Sequence, residues 1–192
     1  MENTLEMRTD ATYSLNFLIY IQNIFLNQVQ SGDERKFPYM PTIYGFRDDF
    51  EVRFRELWDE ASRRISENSR NDLTIFYDEN ELFYQMFFVE SEDTRNEFNQ
   101  IHQSYLVWWD SFAGRFSIER SFDEQGQKIY YDIAEILLQK GIIPQKRLEI
   151  SLIYDDCMLS DTKASSYFAV ISIRDSYLKY EGLIQALVLC MD

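Results

Sequence analysis

Between Ala11 and Gly32 the chain carries no charged residue, and that run limits what the rest can fold into. At about 100° per residue, Leu15, Leu18, Ile19, Phe25, Leu26 and Val29 form one helical stripe, while Phe17, Tyr20, Ile21 and Ile24 form a second on the opposite side. A helix apolar on two faces must be covered on both. The run includes Asn16, Gln22, Asn23, Asn27 and Gln28, and amides are costly in hydrocarbon. It therefore reads as the central apolar helix of a protein core, not a membrane span, with Gly32 as its stop.

The rest of the chain supplies the cover. Its 192 residues suit one sizeable core, so a single globular domain over 1–192 is expected. Six glycines and three prolines are too few for a sandwich or barrel, which needs turn residues every ten or so positions. The fold class expected is mainly α: a compact helical assembly with room for one small β-hairpin.

The clearest surface helix is RDDFEVRFRELWDEASRRISE. Phe50, Phe54, Leu57, Trp58, Ala61 and Ile65 share a face, and Asp49/Arg53, Glu51/Arg55, Asp59/Arg63 and Glu60/Arg64 are spaced four apart, acid first. Asp48 and Asp49 open this helix, where capping and the dipole explain them. A further helix starting near Glu92 gathers Phe98, Ile101, Tyr105, Trp109 and Phe112 on one face. Trp109 lies near the middle of that face and reads as core; Trp108 lies on its edge and reads as a partly exposed rim. Another helix runs through Ile129, Ile133, Ile136 and Leu137 to stop signals at Gly141 and Pro144, and YEGLIQALVLC forms a last one.

Three stretches stay open between helix and strand. Residues 73–89 read as a hairpin across DENE, or as a short strand and a helix capped at Asp78, with the helix preferred. Within 116–131, alternating Phe116, Ile118 and Phe122 before DEQGQ suggest a strand and turn, against the helical spacing that follows. Within 147–173, RLEISLIYDD and YFAVISIRD are β-branched runs.

Much chemistry is excluded. One histidine, His102, precludes paired-histidine catalysis and multi-histidine metal sites within one chain, and it reads as a packed structural residue. Cys157 and Cys190 form no CxxC, so neither a disulfide framework nor a cysteine zinc site is expected. Neither phosphate-cradling glycine motif is present. No catalytic residue, cofactor or metal ligand is assigned. The adjacent acids Asp155 and Asp156 leave a carboxylate-based metal-dependent hydrolase as the alternative function, although a turn is the simpler explanation of the pair. MENTLEMRTD lacks the apolar core of a secretory signal, so a cytoplasmic location is expected.

Charge is the remaining signal. The formal net charge is −14. Residues 71–100 hold eight acids (Asp72, Asp78, Glu79, Glu81, Glu90, Glu92, Asp93, Glu97) against one base, Arg95, a net of −7. Such a field repels nucleic acid and anionic membrane and attracts cationic partners. Phe76, Tyr77, Phe83, Tyr84, Phe87 and Phe88 are interleaved with these acids. Aromatic area rimmed by acids suits a basic protein surface. The expected function is a non-catalytic acidic binding protein of inhibitor, immunity or adaptor type, engaging a basic protein through Asp78, Glu79, Glu81, Glu90, Glu92, Asp93 and Trp108. Oligomeric state stays open. The competing explanation is that Glu79, Glu81, Glu92 and Asp93 merely occupy favourable first turns of helices.

Overall fold

The computed structural model describes residues 4–29, 35–161 and 164–191, so the Gly32 stop lies outside the described residues. The protein is mainly helical. In chain order the elements are β1 (Met7–Ala11), α1 (Tyr13–Val29), α2 (Phe50–Glu67), α3 (Asn71–Leu73), a π-helical turn (Thr74–Asp78), α4 (Glu81–Phe87), α5 (Glu92–Trp109), α6 (Arg115–Lys140), β2 (Leu148–Ile153), β3 (Ala164–Ser165), β4 (Phe168–Ser172), α7 (Ile173–Leu178) and α8 (Tyr180–Leu189). They group into two compact units: Met1–Thr12 with Phe112–Asp156 and Thr162–Asp192, and Tyr13–Ser111 with Cys157–Asp161.

The Tyr13–Ser111 unit is helical throughout its regular structure. α1 packs against α2, α3, the π-helical turn and α5, and its residues Ser14 to Ile24 are buried without interruption. Its first turn contains no acid. Asp72, itself buried, supplies the cap from the next helical layer: its carboxylate accepts from the Tyr13 and Ser14 amides, both at 2.8 Å, and from the Ser14 hydroxyl. The amides of α1 are put to similar use. The Gln22 side-chain carbonyl accepts from the Met158 and Leu159 amides, and the Asn23 amide donates to the Phe37 carbonyl.

α2 buries the face its periodicity defines, Phe50 through Ile65. Asp49 sits at its N-cap position without making a cap hydrogen bond; its carboxylate pairs with Arg53 at 2.7 Å instead. Arg63 bridges Glu60 and Glu67, and Arg64 reaches off the helix to Glu79.

In the other unit, β1, β2 and β4 form a parallel sheet in the order β1-β2-β4-β3, with the two-residue β3 antiparallel to β4 at the edge. The runs LEISLI and FAVIS are buried almost throughout, as parallel strands are. α6 packs on β1 and β2 and against α7 and α8.

In neither stretch that left a strand-and-turn reading open beside the preferred helix does a hairpin form. Residues 73–89 turn through α3, the π-helical turn and α4, with Asn80 rather than Asp78 at the N-cap position of α4. Residues 116–131 belong to one continuous helix, α6. DEQGQ is not a turn: Gly126 lies buried inside α6, where a Cβ would stand 3.0 Å from the Phe122 ring edge. The real break is Gly141, left-handed at φ 68°, which caps α6. Among the described residues no helix is long and apolar enough to cross a membrane.

Candidate partner-binding surface

The acid-rich segment folds around a corner between α4 and α5. Ser91 caps α5, its hydroxyl accepting from the Thr94 amide at 3.1 Å. The Tyr84 hydroxyl accepts from the Ser91 amide and donates to the Ser91 carbonyl, both at 3.0 Å. Residues 45–47 clamp this corner through Val89 N–H to the Gly45 carbonyl, Arg47 N–H to the Phe87 carbonyl, and Gly45 N–H to the Glu97 carboxylate. Only glycine fits at position 45, where a Cβ would stand 2.6 Å from the Thr94 methyl.

Four of the eight acids are consumed by this architecture. Asp72 caps α1, and Glu97 binds Gly45. Glu79 forms a two-pronged pair with Arg64 at 2.6 and 2.7 Å. Glu81 pairs with Arg95, whose guanidinium also lies 3.8 Å over the Tyr84 ring. The hydrogen bonds from Arg64 and Arg95 hold Glu79 and Glu81 below the usual carboxylate range.

Asp78, Glu90, Glu92 and Asp93 remain exposed, and among the described residues no ion pair engages them. The Glu81–Arg95 pair holds the start of α4 beside the first turn of α5. Asp78 lies on the π-helical turn before α4, next to Tyr77, which packs on Tyr13 and feels Asp110 at the far end of α5.

The structure does not bring Trp108 to these acids. It sits sixteen residues beyond Glu92 on the same helix, about 24 Å along the axis at 1.5 Å per residue. There it is half-buried, stacked on Tyr20 and 5.0 Å from the Phe37 ring, beside an open groove of about 380 Å³ that it shares with Gln103, Ser104, Val107 and Ser111. The interleaved aromatics do not form an acid-rimmed surface either: Phe76, Phe83, Tyr84, Phe87 and Phe88 are buried, and of the six only Tyr77 is exposed.

The other reactive groups are accounted for by packing. The His102 ring stacks on Phe76 at 5.1 Å, with Phe17 edge-on at 5.3 Å, and its Nε2 is buried with no hydrogen-bond partner among the described residues. Burial lowers its pKa below the ordinary 6.5. Below about pH 6.5 the unfolded chain therefore takes up a proton that the folded protein refuses, and stability falls as pH drops toward the folded-state value. Comparing urea midpoints at pH 7 and pH 5 should show this loss, and His102→Phe should shrink it.

Burial pushes the Cys157 thiol up to about 12, so it stays protonated at neutral pH. Asp155 accepts from the Asp156 amide at 2.8 Å, and Asp156 accepts from the Ser172 hydroxyl and faces Arg174 at 3.4 Å. Among the described residues no three His, Cys, Asp or Glu side chains gather as a metal site. The chain matches no known protein family, no curated protein and no solved structure.

Proposed function

We propose that the protein is a non-catalytic, cytoplasmic binding protein of inhibitor, immunity or adaptor type that captures a basic protein partner at the α4–α5 corner. The observation that supports this reading is the division among the acids. Those needed for folding are paired or buried, while Glu90, Glu92 and Asp93 are exposed at a corner clamped by Gly45, Ser91 and Tyr84, and Asp78 is exposed on the π-helical turn that leads into α4. Unpaired charge on a rigid platform steers a cationic surface and requires little ordering when it docks. Glu79 and Glu81 lie beside this surface, but their arginine partners reduce what they offer. Trp108 lies too far along α5 to share one small footprint.

The test follows from the same division. Reversing Glu79 or Glu81 would break ion pairs within the fold, so the variant to make is Asp78→Lys, Glu90→Lys, Glu92→Lys and Asp93→Lys together. Its circular dichroism should match the wild type. Capture of a basic protein from native lysate, strong at low salt and weakened at high salt, should be lost. Undiminished capture would remove the α4–α5 corner from the function.

A further inference from the structure

The last two helices run alongside α6 in its own direction. The Gln125 amide donates to the Ser176 carbonyl of α7 at 2.6 Å, and two turns further along α6 the Asp132 carboxylate accepts from the Tyr180 hydroxyl of α8 at 2.5 Å. A cleft of about 500 Å³ lies between α6 and α8 along this contact, with Ile136 and the buried Ile184 as its apolar lining. That volume falls within the range of small-molecule sites, about 300–1,000 Å³.

The charges lining the cleft are divided along α6. Lys128 and Glu135 share one helical face, about 10 Å apart along the axis at 1.5 Å per residue. Asp132 stands between them at the spacing that would pair it with Lys128, but the Tyr180 hydroxyl takes its carboxylate. The Lys128 ammonium rests on the Tyr180 ring instead, 4.1 Å from its centroid. Burial, and then the Asp132 bond, raises the Tyr180 pKa, so its hydroxyl stays a donor at neutral pH. The ring therefore positions the lysine without neutralising it. Arg115 and Arg120 of the same helix are both paired with acids. Among the described residues no ion pair engages Lys128, Glu135 or Glu181, the α8 acid that lines the cleft. Glu135 accepts from the Gln139 side-chain amide at 3.1 Å.

We propose that this cleft binds a small zwitterion with an apolar side chain, of amino-acid to dipeptide length, its carboxylate on Lys128, its ammonium on Glu135 and its side chain against Ile136 and Ile184. The opposite unpaired charges select this chemistry. A metal ion or a polyamine would meet Lys128, a plain anion would meet Glu135 and Glu181, and an uncharged apolar molecule would desolvate charges that it cannot pair. Two hydrogen bonds of about 2.9 Å each leave about 5 Å between the two side chains' levels for the ligand, less than the roughly 7 Å of two extended residues. The cleft belongs to the unit that does not contain the acidic corner, so neither proposal depends on the other.

The experiment is calorimetric titration of the full chain with leucine and with the dipeptide Leu-Leu, set against leucinamide and N-acetylleucine, which each lack one of the two charges, and against spermidine. At least one of the zwitterions should bind, and both blocked analogues should bind about tenfold more weakly or worse, as expected for loss of a charged hydrogen bond. Lys128→Met should weaken the zwitterion about tenfold and erase its advantage over leucinamide; Glu135→Gln should erase its advantage over N-acetylleucine. Both side chains are exposed, and circular dichroism checks the fold of each variant. Should either fail to fold, the blocked analogues on the wild-type chain decide. Binding of neither zwitterion, equal binding of the blocked analogues, or Lys128→Met and Glu135→Gln without effect would overturn the proposal. So would tighter binding of spermidine, which would make the cleft a site for cations.

Discussion

Asp72→Ala is expected to lower the unfolding free energy by about 3–5 kcal/mol, because charged hydrogen bonds contribute about 1.5–3 kcal/mol each and a buried donor stripped of its acceptor adds its own desolvation penalty. The substitution would leave the Tyr13 and Ser14 amides and the Ser14 hydroxyl without this acceptor at the start of α1. Ser14 is fully buried, so water cannot readily take the place of the carboxylate. An exposed N-cap contributes about 1 kcal/mol; this one is buried, charged and serves three donors. Asp72→Asn keeps one acceptor oxygen and should fall between the two. Asp78→Ala, an exposed acid in the same segment, should change stability by less than about 0.5 kcal/mol. Urea unfolding followed by circular dichroism compares all three, and equal losses for Asp72→Ala and Asp78→Ala would refute the capping role.

Those two aspartates look alike in the sequence, and the contrast shows what sequence conveys here. Local periodicity was legible: the buried face of α2, the burial of Trp109 and the stop at Gly141 all follow from spacings of three and four or from one left-handed residue. Partner choice was not. Arg64 ignores Glu60, four residues back, for Glu79 across a break in the helix, and Glu81 finds Arg95 fourteen residues on. A charge count over residues 71–100 therefore overstated the free negative charge of the surface, since Asp72 and Glu97 had also been claimed by backbone amides far away in the chain.

Strands failed for a related reason. β2 and β4 are buried with no polar alternation, and an apolar run of that length fits a buried helical turn as well. β1, with the polar sequence MRTDA, carries no strand signal at all. Its place is set by parallel pairing with β2, more than 130 residues later. Gly126, a lone glycine among polar residues, reads as a turn until Phe122 is seen lying across it.

Phe17→Ala should carry a comparable loss, about 3–5 kcal/mol, as for other fully buried phenylalanines truncated to alanine. Phe17 is inaccessible to solvent. Its ring lies 4.9–6.3 Å from those of Tyr105, Phe83, His102, Phe76 and Phe98, so one side chain joins α1 to the π-helical turn, α4 and α5. Rigid aromatic neighbours held by three separate helical segments cannot collapse into the vacated space, which keeps the cavity term large. Trp108→Ala removes a bigger side chain from a half-exposed position, and should cost only about 1–2 kcal/mol. A Phe17→Ala cavity walled by rings should also stay dry and accept benzene, recovering part of the lost melting temperature, whereas Trp108→Ala opens to water and should not respond. Losses in the reverse order would mean that α1 is held mainly by its polar contacts, the Asp72 cap and the Gln22 and Asn23 bonds, and not by the aromatic packing around Phe17.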